Sequence, residues 1–247
     1  MRFLADLRVA LRTLLRAPAF FAMAGGVLAL GIAVVAVMFG FLRITTTPPP
    51  LDRVDRVFAL AVADKKHNDP ERWVALQDVE DWSREQKSFE GIAGLGQETI
   101  SFRREGGTVE RLLASRVAGP FFGLLRVQPV MGRSLVPEDN RPGASPVLVL
   151  SEPLWRSTFN ADPSVVGESV RVNGEVYAVV GVAPAALDLP VSAMLWFADR
   201  TDTSRDPQFL NGVGTPLPRM NAPTMFPIGR LKDGVTPEEA RAELRVI

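Results

Sequence analysis

The amino-acid sequence predicts an α+β fold class: an N-terminal transmembrane helix followed by a two-part extracytoplasmic domain. The first observation is an uncharged run from Ala17 to Leu42, flanked by two arginines. The second is a series of short strand and helix patterns after it, bounded by glycine, proline and asparagine. The third is that both ends of this later region carry a strand followed by a helix. We therefore expect the two ends to form one part, with the middle inserted.

The composition of the 247 residues excludes several classes of protein. Hydrophobic residues make up 47% of the chain, enough for a folded core in addition to a membrane span. The chain contains no cysteine, which excludes a disulfide framework, a zinc-thiolate site and a cysteine nucleophile. The formal net charge is zero and no segment forms a basic domain, so we expect no nucleic-acid partner.

Residues 17–43 are predicted to form the transmembrane helix. About 20 consecutive apolar residues cross the hydrocarbon core of a lipid bilayer, and glycines such as those in this run are common in membrane helices. The alternatives are a buried helix and a cleaved signal peptide, whose apolar region usually has about 7–15 residues. Arg12 and Arg16 crowd one end of the run, while Arg43 stands alone at the other. This asymmetry favours a cytoplasmic N-terminus.

Residues 1–16 are predicted to form a cytoplasmic amphipathic juxtamembrane helix. Its apolar and basic residues fall on two different helical faces: Leu4, Leu7, Leu11 and Leu14 on one, and Arg8, Arg12 and Arg16 on the other. The alternative is a basic flank that only sets the membrane topology. Residues 44–51 are predicted to be a linker, because three consecutive prolines cannot continue a helix.

The patterns from residue 52 onward predict alternating strands and helices. Val57–Val62 is predicted as a strand, residues 69–89 as a helix, and the next segment as two strands joined across Gly106 and Gly107. A short helix and turn follow over residues 120–135, and a strand over residues 145–150. Five aromatic residues are predicted to lie in the core: Trp73, Trp82, Phe121, Phe122 and Trp155.

Three local signals predict where later elements begin or turn. Ser151 is placed to cap a helix, and Asn173-Gly174 is typical of the tight turn of a β-hairpin. Thr236 and Glu239 form a capping box, with proline at the first helical position. A strand over Met225–Leu231 precedes this last helix. Because the chain ends within it, we expect the chain to be a fragment or a truncated gene product.

The domain prediction divides the extracytoplasmic region, residues 52–247, into two parts. Residues 52–118 and 222–247 are predicted to form one part, built from the strand and helix patterns at the two ends. Residues 119–221 are predicted to form the inserted, β-rich part. A stretch rich in proline, glycine and asparagine, Asp199–Pro227, is predicted as a long loop.

No pattern in the sequence indicates catalysis or a bound cofactor. His67, the one histidine, lies in a polar stretch with no partner at metal-ligand spacing. Gly91, Gly94 and Gly96 match neither phosphate-binding pattern and are interpreted as joining a helix to a strand. The adjacent carboxylates Glu80–Asp81 and Glu138–Asp139 are interpreted as solvated pairs. We therefore expect no catalytic, cofactor-binding or metal-binding residue, and no ATP hydrolysis by this chain.

The longer motifs, taken in order, resemble the permeases of MacB-like ABC transporters, in the FtsX-like superfamily. The resemblance runs from about Leu7 to the last residue and rests on these motifs: LRTLLRAPAF leading into LALGI, SFEGIAGL, FFGLLRVQPVMGRSLVPEDN, PVLVLSEPLWRSTFNADPSVVGESVRVNGEVYAVVGVAP and GRLKDGVTPEEARAEL. Each motif is weak alone, but their order and spacing are specific. The TTTPPP spacer departs from the pattern, as does the absence of the three further spans that normally follow.

The resemblance implies a MacB-like periplasmic core domain after the span, in the bacterial inner membrane. It implies a permease component that couples ATP hydrolysis on a partner ATPase to movement of the periplasmic domain. The implied partners are an ABC ATPase subunit or domain, a second permease, a periplasmic adaptor protein and the lipid bilayer. The alternative is a single-span membrane-anchored binding or adaptor protein that works without an ATPase. A membrane-tethered hydrolase is a third, since one sequence cannot exclude an unrecognised site.

Overall fold

The structure is a computed structural model that describes residues 18–46, 53–63, 70–71, 73–189, 192–201 and 224–247. The chain divides into two compact units, Met1–Pro48 and Pro49–Ile247. Two sequence predictions fall outside the described residues, the helix over residues 1–16 and the setting of His67, and two fall mostly outside them, the linker 44–51 and the loop Asp199–Pro227.

The described α-helices are α1 (Pro18–Thr46), α2 (Leu76–Glu85), α3 (Phe121–Leu125), α4 (Glu152–Thr158) and α5 (Pro237–Leu244). The described strands are β1 (Val57–Ala59), β2 (Val62–Ala63), β3 (Pro70–Glu71), β4 (Val74–Ala75), β5 (Phe89–Arg104), β6 (Glu110–Ala118), β7 (Met131–Gly132), β8 (Val147–Ser151), β9 (Ser169–Val172), β10 (Glu175–Ala183), β11 (Leu195–Ala198) and β12 (Thr224–Leu231). Short 3₁₀ turns occur at Val54–Arg56, Pro137–Asn140 and Pro163–Val165. This mixture of helices and strands confirms the predicted α+β class.

The first unit contains α1, a helix of 29 residues. At 1.5 Å per residue it is about 43 Å long. It ends at Thr46, shortly before the three prolines, whose rings and missing amide hydrogens stop a helix. Its side chains are described at Met23 and over residues 25–39, where they are exposed. Among the described residues, no helix is both long enough and apolar enough to cross a membrane.

The second unit is built on one mixed sheet of ten strands. The order along its main path is β1-β12-β5-β6-β11-β8-β10-β7, and β4 adds to β12. Two pairings are parallel, β8 with β10 and β6 with β11, and the others are antiparallel. Strands β2 and β3 form a separate two-stranded sheet.

Six of these strands close into a ring. Strand β9 pairs with β10 on one side and with β5 on the other. The pairings therefore run β5-β6-β11-β8-β10-β9 and return to β5. Each strand contributes alternate side chains to one buried cluster inside the ring, which includes Phe102, Leu148, Val172, Tyr177 and Phe197. Helix α4 adds Leu154, Trp155 and Phe159 to the same cluster.

The remaining helices cover other faces of the sheet. Helix α3 packs its phenylalanines and leucines with Trp196 of β11 and Val149 of β8. Helix α2 and helix α5 cover a third cluster, which contains Val79, Phe89, Ile92 and Ala240. Strand β5 contributes to all three clusters, since it extends over 16 residues.

The three local signals found in the sequence are confirmed. Ser151 Oγ accepts a hydrogen bond from the Leu154 amide at 3.3 Å and caps α4. Asn173 and Gly174 have φ angles of 50° and 89°, as a tight hairpin turn between β9 and β10 requires. Thr236 and Glu239 form the capping box of α5, with reciprocal hydrogen bonds.

Several predicted elements are wrong in extent. The predicted strand Val57–Val62 is interrupted, because its first residues pair with β12 and its last residue belongs to the β2–β3 sheet. The predicted helix over residues 69–89 is shorter, Leu76–Glu85, because Val74–Ala75 pair with β12 instead. The predicted loop Asp199–Pro227 is also too long, since β12 begins at Thr224.

The division of residues 52–247 into two parts stays a prediction. Strands β5 and β6 belong to the predicted first part. They pair with β9 and β11, which come from the residues predicted to be inserted. One continuous sheet therefore contains strands from both predicted parts.

Candidate functional site

The two carboxylate pairs noted in the sequence have structural partners. Asp81 accepts a hydrogen bond from Arg84 at 3.2 Å on the surface of α2, and its neighbour Glu80 is exposed. Asp139 accepts two hydrogen bonds from Arg133, at 2.7 and 2.9 Å, and one from the Val136 amide at 3.0 Å. Its neighbour Glu138 pairs instead with Arg141, at 3.7 Å.

The contacts of Asp139 determine its protonation state. Burial disfavours its charged form, but the hydrogen bonds from Arg133 and Val136 and the positive charge of Arg133 outweigh burial and lower its pKa. Asp139 is therefore an ionised cap of the Pro137–Asn140 turn. A general acid needs the opposite shift, toward a raised pKa.

The three glycines at positions 91, 94 and 96 do not join a helix to a strand, which corrects the sequence interpretation. All three lie inside β5, where neighbouring side chains approach the backbone closely. A Cβ on Gly94 would lie 3.1 Å from Met225 of β12, and one on Gly96 would lie 3.3 Å from the Arg116 guanidinium. These glycines make room for crossing side chains.

Of the five aromatic residues predicted to be buried, Trp73 is the exception. Its side chain is 45% exposed and meets Phe226 edge to face, with ring centroids 6.1 Å apart. Trp82 is partly buried against the cluster of α2, and Phe121, Phe122 and Trp155 are buried. Trp73 is exposed because it precedes the short strand β4, whose backbone pairs with β12 at the following residues.

An open groove of about 750 Å³ lies at one end of the ring, between the β5–β6 turn, α4 and β9. Arg104 lines it and lies 4.9 Å from the centre of the Phe159 ring. The same guanidinium pairs with Glu168 at 3.2 Å. Glu105 and Glu110 also line the groove, so its charged side chains carry an excess of negative charge. Over the described part of the chain, no cluster of His, Asp and Glu could hold a metal ion.

A second polar contact lies among apolar residues. The side chain of Asp199 is buried and is 3.3 Å from Arg116 Nε. Oδ1 accepts a hydrogen bond from the Thr201 amide at 2.9 Å, while the buried Oδ2 is the atom that faces Arg116 Nε, in an ion pair without hydrogen-bond geometry. The pair ties the end of β11 to the middle of β6, and the sequence analysis did not identify it.

The most connected polar region lies where the chain enters the second unit. Arg56 bonds to the Asp233 carboxylate and to the Lys232 carbonyl, and Arg53 lies 3.4 Å from the same carboxylate. The turn that contains these arginines is therefore held by the loop that follows β12. We call Arg53, Arg56, Arg230, Lys232 and Asp233 the junction.

Arg230 is the buried member of the junction, with no exposed surface. Its Nε donates to the Leu124 carbonyl in α3, and its Nη1 donates to the Arg53 carbonyl at 3.2 Å. The sequence analysis missed this residue, although a signal was present. Arg230 follows Phe226 and Ile228 at a period of two, so the alternation of β12 places its charge on an inward face.

Helix α5 is tied to the same side of the domain. Glu243 accepts hydrogen bonds from the Lys87 and Ser88 amides, at 2.6 and 2.9 Å. Lys232 Nζ donates to the Lys87 carbonyl at 2.6 Å. The described residues at the beginning and at the end of the second unit therefore share one polar network, which also reaches the start of β5.

The arrangement defines a class of protein: a mixed α+β domain whose described polar groups mainly hold its own segments together. The family model described as the MacB-like periplasmic core domain matches residues 20–247. The chain belongs to this family, which is a permease periplasmic domain and not a known catalytic one. The domain is accordingly an extracytoplasmic domain of a membrane permease.

The solved structures similar to this chain include two with related descriptions. The periplasmic region of MacB from Actinobacillus actinomycetemcomitans has a TM-score of 0.52 and 15% identity, covering 78% of this chain and 85% of that chain. A domain of a protein described as a permease, from Porphyromonas gingivalis, has a TM-score of 0.57 and 16% identity, covering 79% and 84%. At such identities the likeness shows the fold alone. No curated protein matches the sequence.

Proposed function

We propose that the chain is the permease component of an ABC-type export or mechanotransmission complex. In this proposal a partner ATPase hydrolyses ATP in the cytoplasm, and the extracytoplasmic domain receives the resulting movement. The observation that carries the proposal is the junction. It binds the first described turn of the domain to Arg230 of β12 and to the loop between β12 and α5, at Lys232 and Asp233.

Such a connection suits a part that must move as one body. A displacement of the Arg53–Arg56 turn acts directly on β12, which lies between β1 and β5 in the sheet. Close-packed interiors deform little and pass displacement onward. Family membership supports the same conclusion, since the family is a permease domain. We expect the domain to be non-catalytic.

The proposed topology places residues 1–16 in the cytoplasm, residues 17–43 in the inner membrane and residues 52–247 in the periplasm. It is supported by the uncharged run Ala17–Leu42 and by the helical conformation of Pro18–Thr46. The bilayer surface, a second permease and a periplasmic adaptor protein are the further proposed partners. We also propose that residues 119–221 form an inserted part of the domain.

Reporter fusions test the topology. A reporter that is active only in the cytoplasm should give a signal when fused at residue 2. A reporter that is active only outside the cytoplasm should give a signal when fused after residue 60. The asymmetry of arginines around the span is the physical reason. The reverse pattern, or two reporters on the same side, would remove the proposed coupling across the membrane.

Coupling to an ATPase is tested by reconstituting the full chain with an ABC ATPase encoded in the same gene or beside it, and finding no such ATPase would contradict the proposal. The chain should raise the ATPase rate, and Leu11→Asp should abolish the rise, because it places a charge on the apolar face of the proposed cytoplasmic helix. Thr13→Asp adds the same charge away from that face and should keep the rise. Equal rates for both variants and the parent would contradict the proposal.

The groove beside Arg104 favours a second function, that of a membrane-anchored binding protein without an ATPase. Its volume of about 750 Å³ is large enough for a small ligand. The same reconstitution separates the two proposals, since a binding protein would leave the ATPase rate unchanged in every variant.

A further inference from the structure

The burial of Arg230 is not explained by packing alone. Removing a guanidinium from water is unfavourable unless its donors are bonded, and an apolar side chain fills a buried position at lower cost. The neighbouring inward positions of β12, Phe226 and Ile228, are filled by apolar side chains. Arg230 is nevertheless fully buried. Its role must therefore lie in the bonds that it makes.

Two of these bonds connect segments that are far apart in the chain. Nε donates to the Leu124 carbonyl, and Nη1 donates to the Arg53 carbonyl. The guanidinium is planar and holds its donors in fixed directions. It therefore fixes the position of the Arg53–Arg56 turn relative to α3. The backbone pairing of β12 with β5 and β1 fixes Arg230 in turn.

Helix α3 extends this connection into the strand ring. Four of its five residues are buried, and Phe122 meets Trp196 of β11 edge to face, with centroids 6.0 Å apart. Trp196, Val147 and Val149 belong to ring strands and pack in the same cluster as α3. A shift of the Leu124 carbonyl would therefore press on the outer face of β11 and β8.

The Arg53–Arg56 turn is held firmly enough to act as the input. Arg56 bonds to Asp233 and Lys232, and the Arg56 amide donates to the Arg53 carbonyl at 3.1 Å. The Arg53 carbonyl thus accepts both a turn hydrogen bond and the bond from Arg230. In the chain, this turn comprises the first described residues after α1.

We propose that Arg230 is a positioning residue that couples the Arg53–Arg56 turn to α3, so that movement arriving along the chain from α1 reaches the strand ring. The inference rests on the proposed function and names its route inside the domain. It involves no bond making or breaking beyond hydrogen bonds.

Paired spin labels on the full chain, in detergent micelles, test this route. The chain has no cysteine, so introduced cysteines are labelled without background. Asp55→Cys and Gly123→Cys form the test pair, since Asp55 is exposed and a Cβ at Gly123 meets nothing within 4 Å. Val109→Cys and Val176→Cys, at exposed positions, form the reference pair outside the route.

Three substitutions are compared in both labelled backgrounds. Arg230→Met removes the donors and keeps an apolar stem, Arg230→Lys keeps the charge and loses the fork, and Arg141→Met removes an exposed arginine as the matched control. The distance distribution between positions 55 and 123 should become about twofold wider in Arg230→Met. The reason is that local opening of the Arg53–Arg56 turn is then no longer coupled to local opening of α3. Arg230→Lys should lie between Arg230→Met and the parent, and Arg141→Met should match the parent.

The reference pair separates coupling from general loosening. An unchanged distribution at 55 and 123 in Arg230→Met would overturn the inference, and so would equal broadening of both pairs. Tryptophan fluorescence reports whether each variant is folded. If Arg230→Met does not fold, Arg230→Lys is judged by the same two criteria.

Hydrogen exchange on the unmutated chain provides a measurement that needs no substitution at Arg230. The Arg56 amide donates a hydrogen bond within the Arg53–Arg56 turn, and the Arg126 amide donates one at the end of α3. If the two segments are coupled, these amides should open with the same free energy. Different opening energies would contradict the inference. Loss of ATPase coupling with an intact route would count against the proposed function only.

Discussion

Gly132 is the residue at which backbone and packing constraints coincide most clearly. Its φ angle is +69°, a conformation that residues with a Cβ adopt at a cost. A Cβ at this position would also lie 2.2 Å from the Val180 carbonyl oxygen of β10. The approach brings β7 against β10 at one edge of the sheet. Gly143 has a similar φ of +82° but open space around it.

Comparing these two glycines separates the cost of conformation from the cost of the clash. Gly143→Ala should lower the free energy of unfolding by about 1 kcal/mol, from its left-handed φ alone. Gly132→Ala should lower it by more than about 3 kcal/mol, because the strands must also separate. Urea unfolding of the full chain in detergent, followed by tryptophan fluorescence, measures both. Equal losses would show that the close approach can relax.

At the next scale, helix α4 offers a test of capping within one element. Ser151→Ala removes the hydroxyl that accepts the Leu154 amide and should cost about 1 kcal/mol of unfolding free energy. Ser157→Ala, in the last turn of the same helix, should change stability by only a few tenths of a kcal/mol, since alanine favours a helix. The two variants are compared by the same urea unfolding. A larger loss from Ser157→Ala would contradict the assigned cap.

The seam between β5 and β9 contains an unfavourable pair. Arg103 and Arg171 lie directly opposite each other on exposed positions, and only three residue pairs close the ring here. Like charges opposite each other destabilise a sheet. Two hydrogen bonds between Ser101 and Asn173, at 2.8 and 2.9 Å, support the seam at its end.

Reversing one charge in this seam should stabilise the domain. Arg171→Glu should raise the unfolding free energy by about 0.5 kcal/mol, because the new carboxylate faces Arg103. Arg111→Glu is the control, since Arg111 lies opposite the uncharged Ser101. The urea midpoints of the two variants should move apart. If both reversals shift the midpoint equally, the opposed arginines do not matter.

Caps and turns were predictable from the sequence, because the residues that signal each of them lie within a few positions of it in the chain. The cap at Ser151, the turn at Asn173 and the capping box at Thr236 are examples. The glycines of β5 were misinterpreted, because glycine is needed there to make room for a side chain that crosses from another strand. The contact of the Met225 side chain with Gly94 depends on residues far apart in the sequence. No local pattern predicts it.

The candidate functional region was less predictable than the fold. Arg230 lies in an apolar strand and Asp199 directly follows one, which is a visible signal, but their partners are backbone carbonyls and a distant arginine. Trp73 gave the opposite error, since it lies within the helix predicted over residues 69–89 and was expected in the core, yet it is 45% exposed. The family resemblance, in contrast, rested on the order of long motifs and is confirmed by the match over residues 20–247.

At the scale of the whole molecule, carboxylate caps make stability depend on pH. A hydrogen bond from Arg156 lowers the pKa of Glu152. Hydrogen bonds from nearby backbone and hydroxyl donors lower the pKa values of Asp162 and Glu239. For Asp139 and Glu243, burial opposes this effect but the hydrogen bonds outweigh it, so that the pKa is again lowered. Five carboxylates therefore hold protons less tightly in the folded state.

Acid should therefore destabilise the domain. The stabilisation from these groups is complete above the unfolded-state pKa values, near about 4, and is lost as pH falls through the lower folded-state values. The urea midpoint should be constant from pH 7 to 5 and then fall toward pH 3. Glu243→Gln should lower the midpoint at pH 7 and weaken its fall in acid. A midpoint that stays constant down to pH 3 would contradict this prediction.

The position of β12 in the sheet also determines when the domain can finish folding during synthesis. Strand β12 lies between β1 and β5, yet it is made only when the ribosome has reached Thr224–Leu231. Until then the edges of both earlier strands lack their partner, and Phe89 and Ile92 lack part of their cover. Unpaired strand edges of this kind are prone to aggregate. A nascent chain stalled before residue 224 should therefore need a chaperone until β12 emerges and pairs with both strands.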